Sequence, residues 1–223
     1  MSVNIAIDGP AGAGKSTIAK AVAKELEFIY VDTGAMYRAM ALYLLQQGIS
    51  PKETEKMEEA CAKAEISIIY EEGAQQVLLN GENVTGLLRQ EEVGNMASVS
   101  SANPKIREKL VELQRILASR ENVVMDGRDI GTCVLPNAQV KVYLTASART
   151  RALRRCKELK EKGISCVLEE IEADINERDH RDMTREISPL KQAEDAVLLD
   201  SSDMTIEEVK EAIISLYKKR KGV

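Results

Sequence analysis

The chain has 223 residues, of which 44% are hydrophobic, and its 31 basic and 36 acidic side chains give a formal net charge of −5. A chain of this length and composition can bury a full core, which argues against a disordered segment and against a strongly basic nucleic-acid binder. No apolar run approaches the roughly 18 residues that a membrane-spanning helix needs.

The cysteine and histidine content bears on the compartment and on metal chemistry. Because His180 is the only histidine, a histidine-rich metal site is not expected. The spacing of the cysteines matches neither a disulfide framework nor a zinc site, and the first apolar run is too short for a signal peptide. We therefore expect a cytoplasmic protein. From the charge and the short apolar runs we expect no nucleic-acid or membrane partner, and we also expect a monomer. The cysteines are Cys61, Cys133, Cys156 and Cys166.

The first elements predict an α/β unit. Val3–Asp8 is a short β-branched run, a glycine-rich stretch follows it, and Ser16–Leu26 has apolar residues at helical spacing. Phe28–Asp32 predicts a second strand and Ala35–Gln47 a second helix. Strand, glycine loop and helix in this order are typical of the start of a parallel sheet.

Glu65–Thr85 interrupts this alternation of strands and helices. Two β-rich runs flank a Glu-Glu-Gly sequence, and the dipeptide Asn80-Gly81 is a strong signal for a tight hairpin turn. An antiparallel hairpin within a parallel α/β chain predicts an inserted subdomain.

The carboxy-terminal half returns to alternating strands and helices. Strands are predicted at Val123–Asp126, Lys141–Thr145 and Ala196–Leu199, and helices at Ala148–Lys162 and Ile206–Lys218. Together these elements predict a parallel sheet with helices on both faces.

The glycine-rich stretch has a specific pattern. Gly9–Ser16 matches GxxxxGK[ST] in full, in which Gly12 and Gly14 permit positive φ and the backbone amides converge on phosphate oxygens. Lys15 can then reach the β- and γ-phosphates, and the Ser16 hydroxyl can bind Mg²⁺. Since the chain has no NKxD motif, a GTPase is disfavoured, and its size favours a small-molecule kinase over a motor or helicase.

A phosphate acceptor needs its own binding groups, and Asp32–Arg38 (DTGAMYR) supplies them at the end of a predicted strand. Thr33 and Arg38 can bind an acceptor phosphate, and Tyr37 can pack against the acceptor. The alternatives are that Arg38 is a solvated helix residue and that Tyr37 fills the core.

A second group of polar residues is Asp126–Gly131 (DGRDIG), which follows an apolar strand. Asp126 is placed as in a Walker B strand, so it can have an indirect role in Mg²⁺ binding. Arg128 offers a planar fork for phosphate, and Asp129 can accept a hydrogen bond from an exocyclic amine such as cytosine N4. A tight turn is the alternative, although it leaves Arg128 unexplained.

The segment Gly163–Pro189 alternates charges and predicts a solvated, mobile helix. On a helix, Arg178, Arg181, Asp182 and Arg185 share one face. They are either a ladder of ion pairs or part of a lid whose arginines meet the transferring phosphoryl group. The histidine of this segment is interpreted as a bystander, and the arginines at 149, 151, 154 and 155 as part of a lid or of a solvated helix face.

Taken together, these motifs resemble the bacterial cytidylate kinase family nearly end to end. DTGAMYR and DGRDIG are more specific than the phosphate loop, and the insert with Asn80-Gly81, the Arg178–Arg185 segment and Ser188–Ala196 also match. The resemblance implies a nucleoside monophosphate kinase fold with a parallel core, an enlarged monophosphate-binding insert and a lid. The corresponding boundaries are residues 1–34, 102–148 and 190–223 for the core, 35–101 for the monophosphate-binding region and 149–189 for the lid.

The resemblance also implies a role for each matching residue. Lys15, Arg128 and Arg185 are the implied catalytic residues. The residues expected to bind ATP are Gly9, Pro10, Ala11, Gly12, Ala13, Gly14, Lys15, Ser16 and Thr17, with Ser16 on the metal. Thr33, Arg38 and Arg128 would hold the CMP phosphate with Tyr37 beside it, Ser98, Arg107 and Asp129 would read cytosine, and Asp182, Arg185 and Arg178 would engage the ribose.

The implied reaction is phosphoryl transfer from ATP to CMP or dCMP with Mg²⁺. Two alternatives stay open from the residues alone. One is a kinase of another small acceptor such as UMP, AMP or shikimate. The other is a non-catalytic regulator that binds a nucleotide without an acceptor.

Overall fold

The fold is described from a computed structural model for residues 2–71 and 73–222. The chain divides into two compact units. The first unit contains the chain up to Tyr30 and again from Ala118 onward, and the second unit is the continuous stretch Val31–Leu117. One unit is therefore built from two separate segments and the other from a single one.

Strands and helices alternate through most of the chain. A 3₁₀ turn lies at Thr85–Leu87 and a π-helical turn at Ile130–Val134. The elements in chain order are β1 (Asn4–Asp8), α1 (Lys15–Leu26), β2 (Ile29–Asp32), α2 (Thr33–Gln46), α3 (Thr54–Lys63), β3 (Ile66–Glu71), β4 (Ala74–Leu79), β5 (Glu82–Asn83), α4 (Glu91–Ser100), α5 (Pro104–Arg120), β6 (Val123–Gly127), β7 (Val140–Thr145), α6 (Ala148–Glu161), α7 (Leu168–Thr184), β8 (Val197–Asp200) and α8 (Ile206–Lys221).

The larger sheet has five strands in the order β2-β6-β1-β7-β8. β1 pairs in parallel with β6 and β7, and β8 pairs in parallel with β7. β1 is buried throughout most of its length because it lies in the middle of this sheet. The predicted α/β fold with a parallel sheet and helices on both faces is confirmed.

The core of the first unit explains why the phosphate loop has a rigid base. Ile5 and Ile7 of β1 pack with Ile18 and Val22 of α1 and with Ile213 of α8, and all five are almost fully buried. The glycine loop therefore connects a central strand to a helix that is anchored by its apolar face.

The second unit contains the antiparallel sheet β3-β4-β5. β3 and β4 pair from Ile66 opposite Leu79, and the turn after β4 is formed by Asn80 and Gly81, which both have positive φ. The predicted hairpin is confirmed, and the short strand β5 extends it by pairing with the end of β4. The core of this unit is formed by α2, α3, α4, the start of α5 and the inward face of the sheet.

One expectation from the cysteines was wrong. Cys156 in α6 and Cys166 just before α7 form a disulfide, with Cα atoms 5.8 Å apart. The chain reverses after α6 at Gly163, which has positive φ, so residues ten positions apart meet where α6 and α7 pack together. Cys61 and Cys133 take no part in a disulfide.

Within residues 2–71 and 73–222, none of the helices is both long enough and apolar enough to cross a bilayer.

Candidate active site

The phosphate loop connects β1 to α1 in the first unit. Gly9, Gly12 and Gly14 all have positive φ, a conformation that a side chain disfavours. Gly14 caps the amino terminus of α1, and Ala11 and Ala13 add only methyl groups to the loop. Bare amides next to the positive end of a helix dipole are the arrangement that binds phosphate oxygens.

Lys15 is the first residue of α1 and is only 6% exposed. Its Nζ donates a hydrogen bond of 2.7 Å to the Pro10 carbonyl, so the ammonium group lies against the loop. Burial, and secondly the charge of Arg128, lower the pKa of Lys15 to about 7, and the carboxylates of Asp126, Asp8 and Asp182 oppose this shift. A polyphosphate in the loop would add negative charge beside this ammonium group and favour its protonated form.

Ser16 and Asp126 form the oxygen-rich part of this site. The Ser16 hydroxyl donates to Asp126 Oδ2 at 3.0 Å, and the Tyr30 hydroxyl donates to Asp126 Oδ1 at 2.8 Å. Thr17, the next residue of α1, is exposed. A hydroxyl and a carboxylate in contact suit Mg²⁺, which typically takes one or two carboxylates together with substrate phosphates. Among the described residues there is no cluster of three or more His, Cys, Asp or Glu side chains that could hold a metal alone.

The turn after β6 brings Arg128 and Asp129 against α7. Arg128 Nε donates to Asp182 Oδ2 at 2.7 Å, and Arg185 Nη2 lies 3.8 Å from Asp129 Oδ1. Burial works against the ionised form of Asp182, but Arg128, Arg178 and Arg185 outweigh it and hold the pKa of this carboxyl below its usual value. The predicted residues of these two segments therefore form one charged cluster.

The predicted helix around Arg178–Arg185 is present, but the residues that it buries and exposes differ from the prediction. Asp179 and Asp182 are buried, whereas Arg181 is exposed and lies 3.8 Å from Glu177. The shared face of four residues was therefore wrong for Arg181. α7 ends at Thr184, and Arg185 caps its carboxy terminus, where its amide donates to the Arg181 carbonyl at 3.1 Å. His180 is exposed, in keeping with its interpretation as a bystander.

Of the predicted acceptor residues, five belong to the second unit. Asp32 caps α2 by accepting a hydrogen bond of 2.9 Å from the Ala35 amide, and this starts the helix at Thr33. Thr33 is buried and Arg38 is half-buried one turn further along. A Cβ added at Gly34 would lie 3.3 Å from Arg38 Nη1, so the glycine makes room for this guanidinium.

Tyr37 and Arg107 are in contact within the same unit. The Arg107 guanidinium lies 5.5 Å from the centre of the Tyr37 ring, and its Nη1 donates to the Ser101 carbonyl at 3.2 Å. Arg107 is only 4% exposed, which is unusual for this residue type unless it is well partnered. On α4, the Ser98 hydroxyl oxygen is buried and makes no hydrogen bond to any described residue, so a ligand could use it.

Sequence reasoning missed the role of Arg151. This residue was interpreted as part of a lid or of a solvated helix face, but it is 5% exposed. It donates to the Ala11 carbonyl of the phosphate loop at 2.9 Å and pairs with Asp179 of α7 at 2.6 Å. It therefore ties the loop to α7. Its charged sequence neighbours concealed this role, because an alternation of charges also describes an exposed helix.

Comparison with known proteins decides the family. A profile of the cytidylate kinase family matches residues 5–219. The chain belongs to the cytidylate kinase family. A cytidylate kinase from Caldicellulosiruptor saccharolyticus is 51% identical over 217 residues, which cover 97% of this chain and 96% of that protein. A cytidylate kinase from Carboxydothermus hydrogenoformans is 46% identical over 221 residues, covering 99% of this chain and all of the relative.

Membership of this family makes the protein an enzyme, a nucleoside monophosphate kinase, and it confirms the resemblance inferred from the motifs. Among solved structures, an uncharacterized protein from Eubacterium ventriosum has the same fold, with a TM-score of 0.54 and 13% identity. The alignment covers 98% of this kinase and 99% of that chain.

Proposed function

We propose that this kinase transfers the γ-phosphoryl group of ATP to CMP or dCMP, giving ADP and CDP or dCDP. The observation that carries the proposal is the match to the cytidylate kinase family over residues 5–219, in a chain whose phosphate loop has the conformation that nucleotide binding needs. No observation on the described residues favours UMP, AMP or shikimate as the acceptor. None favours a purely regulatory role.

ATP is assigned to the loop from Gly9 to Thr17. Its backbone amides would contact the phosphates, and Lys15 would neutralise charge that develops on the transferring group. Phosphoryl transfer has a loose transition state, so most of the catalysis comes from positioning and charge neutralisation. A monophosphate oxygen is already a nucleophile at neutral pH, so we assign no general base.

Mg²⁺ is the metal that fits the oxygen donors at this loop. We propose that Ser16 binds it through the hydroxyl and that Asp126 holds it indirectly, with Tyr30 orienting the carboxylate through the bond at 2.8 Å. When bound, the ion would neutralise phosphate charge. The residues themselves supply the hydroxyl and the carboxylate that keep it next to the loop.

CMP is assigned to the remaining candidate residues. Thr33, Arg38 and Arg128 would hold its phosphate, with Tyr37 beside it. Ser98, Arg107 and Asp129 would read cytosine, and Asp182, Arg185 and Arg178 would engage the ribose. The buried Ser98 hydroxyl and the buried, oriented Arg107 support the base-reading role in the second unit.

Residues 149–189 are proposed as the lid. Lid closure would exclude water and so prevent wasteful hydrolysis of ATP. We assign Arg185 to charge neutralisation on the transferring group; it directly follows α7, and its Nη2 lies 3.8 Å from Asp129 Oδ1. We further propose that the boundaries of the core and of the monophosphate-binding region are those derived from the resemblance.

The experiment that tests the proposed reaction is ADP release in a coupled assay with Mg·ATP and a panel of acceptors. We expect strong release with CMP and dCMP, weaker release with UMP, and none with AMP or shikimate. A different preferred acceptor would contradict the proposed cytosine contacts but would leave the proposed phosphoryl transfer standing. ATP binding without acceptor-dependent turnover would contradict the proposal as a whole.

Exchange of Arg128 for lysine tests the acceptor phosphate site. Arg128 uses Nε to bind Asp182, which leaves its two terminal nitrogens for a phosphate, whereas lysine offers only one nitrogen in all. We expect Arg128→Lys to raise KM for CMP about 10-fold or more. KM for ATP should stay within about 2-fold, because the positive charge near Lys15 is kept.

Steady-state kinetics with each substrate varied in turn measures both constants. Arg120→Lys is the matched control, since Arg120 is exposed at the end of α5. Equal effects of Arg128→Lys on both substrates would count against its role at the acceptor.

We also propose that the kinase works as a monomer in the cytoplasm, where ATP and nucleoside monophosphates are both available. Light scattering coupled to size-exclusion chromatography tests the first part. A mass that corresponds to two chains would contradict it.

A further inference from the structure

Asp8 is a buried carboxylate to which the proposed reaction gives no role. It is the last residue of β1, it precedes Gly9 of the phosphate loop, and it is only 4% exposed. Its Oδ1 accepts a hydrogen bond from the Ile130 amide and its Oδ2 accepts one from the Gly131 amide, each at 2.7 Å. These partners lie more than 120 residues away in sequence.

The two amides belong to the first residues of the π-helical turn Ile130–Val134, which begins directly after Asp129. The opening amides of a helical turn lack partners within the turn and need an external acceptor. Asp129 has a backbone φ of −145° and its carbonyl accepts the Cys133 amide at 2.8 Å, so the turn starts with this residue. Asp8 thus supplies the cap that no side chain of the turn itself provides.

The close approach depends on glycine at position 131. A Cβ there would lie 3.2 Å from Asp8 Oδ2 and 3.2 Å from Lys141 Cδ, tighter than an ordinary contact. The glycine of the DGRDIG motif therefore lets its amide reach the carboxylate.

The electrostatics of Asp8 support a specific role for the carboxylate. Burial raises the pKa of Asp8 to about 6, and the Asp129 charge adds to this, whereas the two amide hydrogen bonds and Lys15 of α1 act in the opposite direction. Tyr143 of β7 also lies within the electrostatic influence of Asp8. Burying a carboxylate is costly unless it is hydrogen-bonded, and the two backbone amides supply that compensation, so the carboxylate and the turn stabilise each other.

We propose that Asp8 is a positioning residue, whose two oxygens fix the turn after β6 relative to the phosphate loop so that Arg128 and Asp129 are oriented for the acceptor nucleotide. This inference rests on the proposed function, because it assumes that Arg128 and Asp129 bind CMP. One side chain at the end of β1 then holds the turn that carries the acceptor residues.

Asp8→Asn is the variant that tests this role. Asparagine has nearly the same shape but only one acceptor oxygen, so its amide group would face one of the two backbone amides. We expect KM for CMP to rise about 10-fold or more, with KM for ATP within about 2-fold. Asp203→Asn is the control, since it makes the same charge change at an exposed position.

A double variant with Arg128→Lys separates this inference from the proposed function. If Asp8 acts through the turn, the effect of the double variant on KM for CMP is smaller than the product of the two single effects. If Arg128→Lys alone leaves KM for CMP unchanged, the proposed acceptor role of Arg128 is wrong. If Arg128→Lys raises KM for CMP but Asp8→Asn does not, or if Asp8→Asn raises both KM values equally, Asp8 has no positioning role.

Gly131→Ala keeps the test decisive if Asp8→Asn does not fold. The added methyl group would lie 3.2 Å from Asp8 Oδ2 and 3.2 Å from Lys141 Cδ, so it should push both side chains back by a few tenths of an ångström while leaving every charge in place. The same selective rise in KM for CMP is expected. Wild-type KM for CMP in a folded Gly131→Ala protein would overturn the inference.

Discussion

Replacing Lys15 by alanine is expected to lower kcat by about 100-fold or more. The ammonium group is held against the phosphate loop by its bond to the Pro10 carbonyl and is buried among the carboxylates of Asp8, Asp126 and Asp182. In the reaction it would neutralise charge on the group in transfer, and no other cation lies within the loop sequence from Gly9 to Thr17.

The lower kcat of Lys15→Ala should come from a slower chemical step and not from unfolding of the protein. Burial disfavours the charged form of Lys15 and lowers its pKa to about 7, so removing this cation relieves a cost in the ligand-free protein. We therefore expect an unchanged or higher melting temperature together with the loss of turnover. Lys24→Ala, which removes an exposed lysine from the same helix, is the control. Near-normal turnover in Lys15→Ala would contradict the assignment of the phosphate loop.

Alanine at Gly9 should give the largest loss of stability. An added Cβ would lie 1.9 Å from the Leu144 carbonyl oxygen, and φ of Gly9 is +150°, a value that side chains disfavour. Leu144 cannot move aside easily, because β7 is paired on both edges, with β1 and with β8. We expect the free energy of unfolding to fall by about 4 kcal/mol or more, and the melting temperature by roughly 8–16 °C.

Urea unfolding followed by circular dichroism measures this loss. Gly94→Ala is the matched control, since Gly94 lies in α4 with ordinary φ and has no atom within 4 Å of the added Cβ. Alanine is the better helix former, so this control should gain about 0.5–1 kcal/mol. If Gly9→Ala and Gly94→Ala unfold at the same urea concentration, the close packing of the loop against β7 is not needed for stability.

Local patterns in the sequence were enough to predict most of the fold. β-branched runs located β1, β6 and β7, and Asn80-Gly81 located the turn before β5, because these signals depend on neighbouring residues. The phosphate loop was found for the same reason. Its backbone conformation is determined by a short, glycine-rich stretch of sequence.

What the sequence did not predict depends on contacts between distant residues. Nothing near Asp8 indicates that its carboxylate binds amides at Ile130 and Gly131, and nothing near Arg151 indicates that it pairs with Asp179. The disulfide between Cys156 and Cys166 required the packing of α6 on α7, which residue spacing alone does not reveal. Tertiary packing decides which distant side chains pair, and a single sequence contains little information about that packing.

The order of the strands also has a consequence for synthesis on the ribosome. β1 is the first strand to be made, yet both of its neighbours, β6 and β7, come more than 100 residues later, with Asn4 opposite Val123 and Ile5 opposite Val140. The second unit, Val31–Leu117, is complete before either neighbour emerges. We therefore expect the nascent chain to form the second unit first and to hold β1 and the phosphate loop unpaired until more than half of the protein, through β6, has been translated.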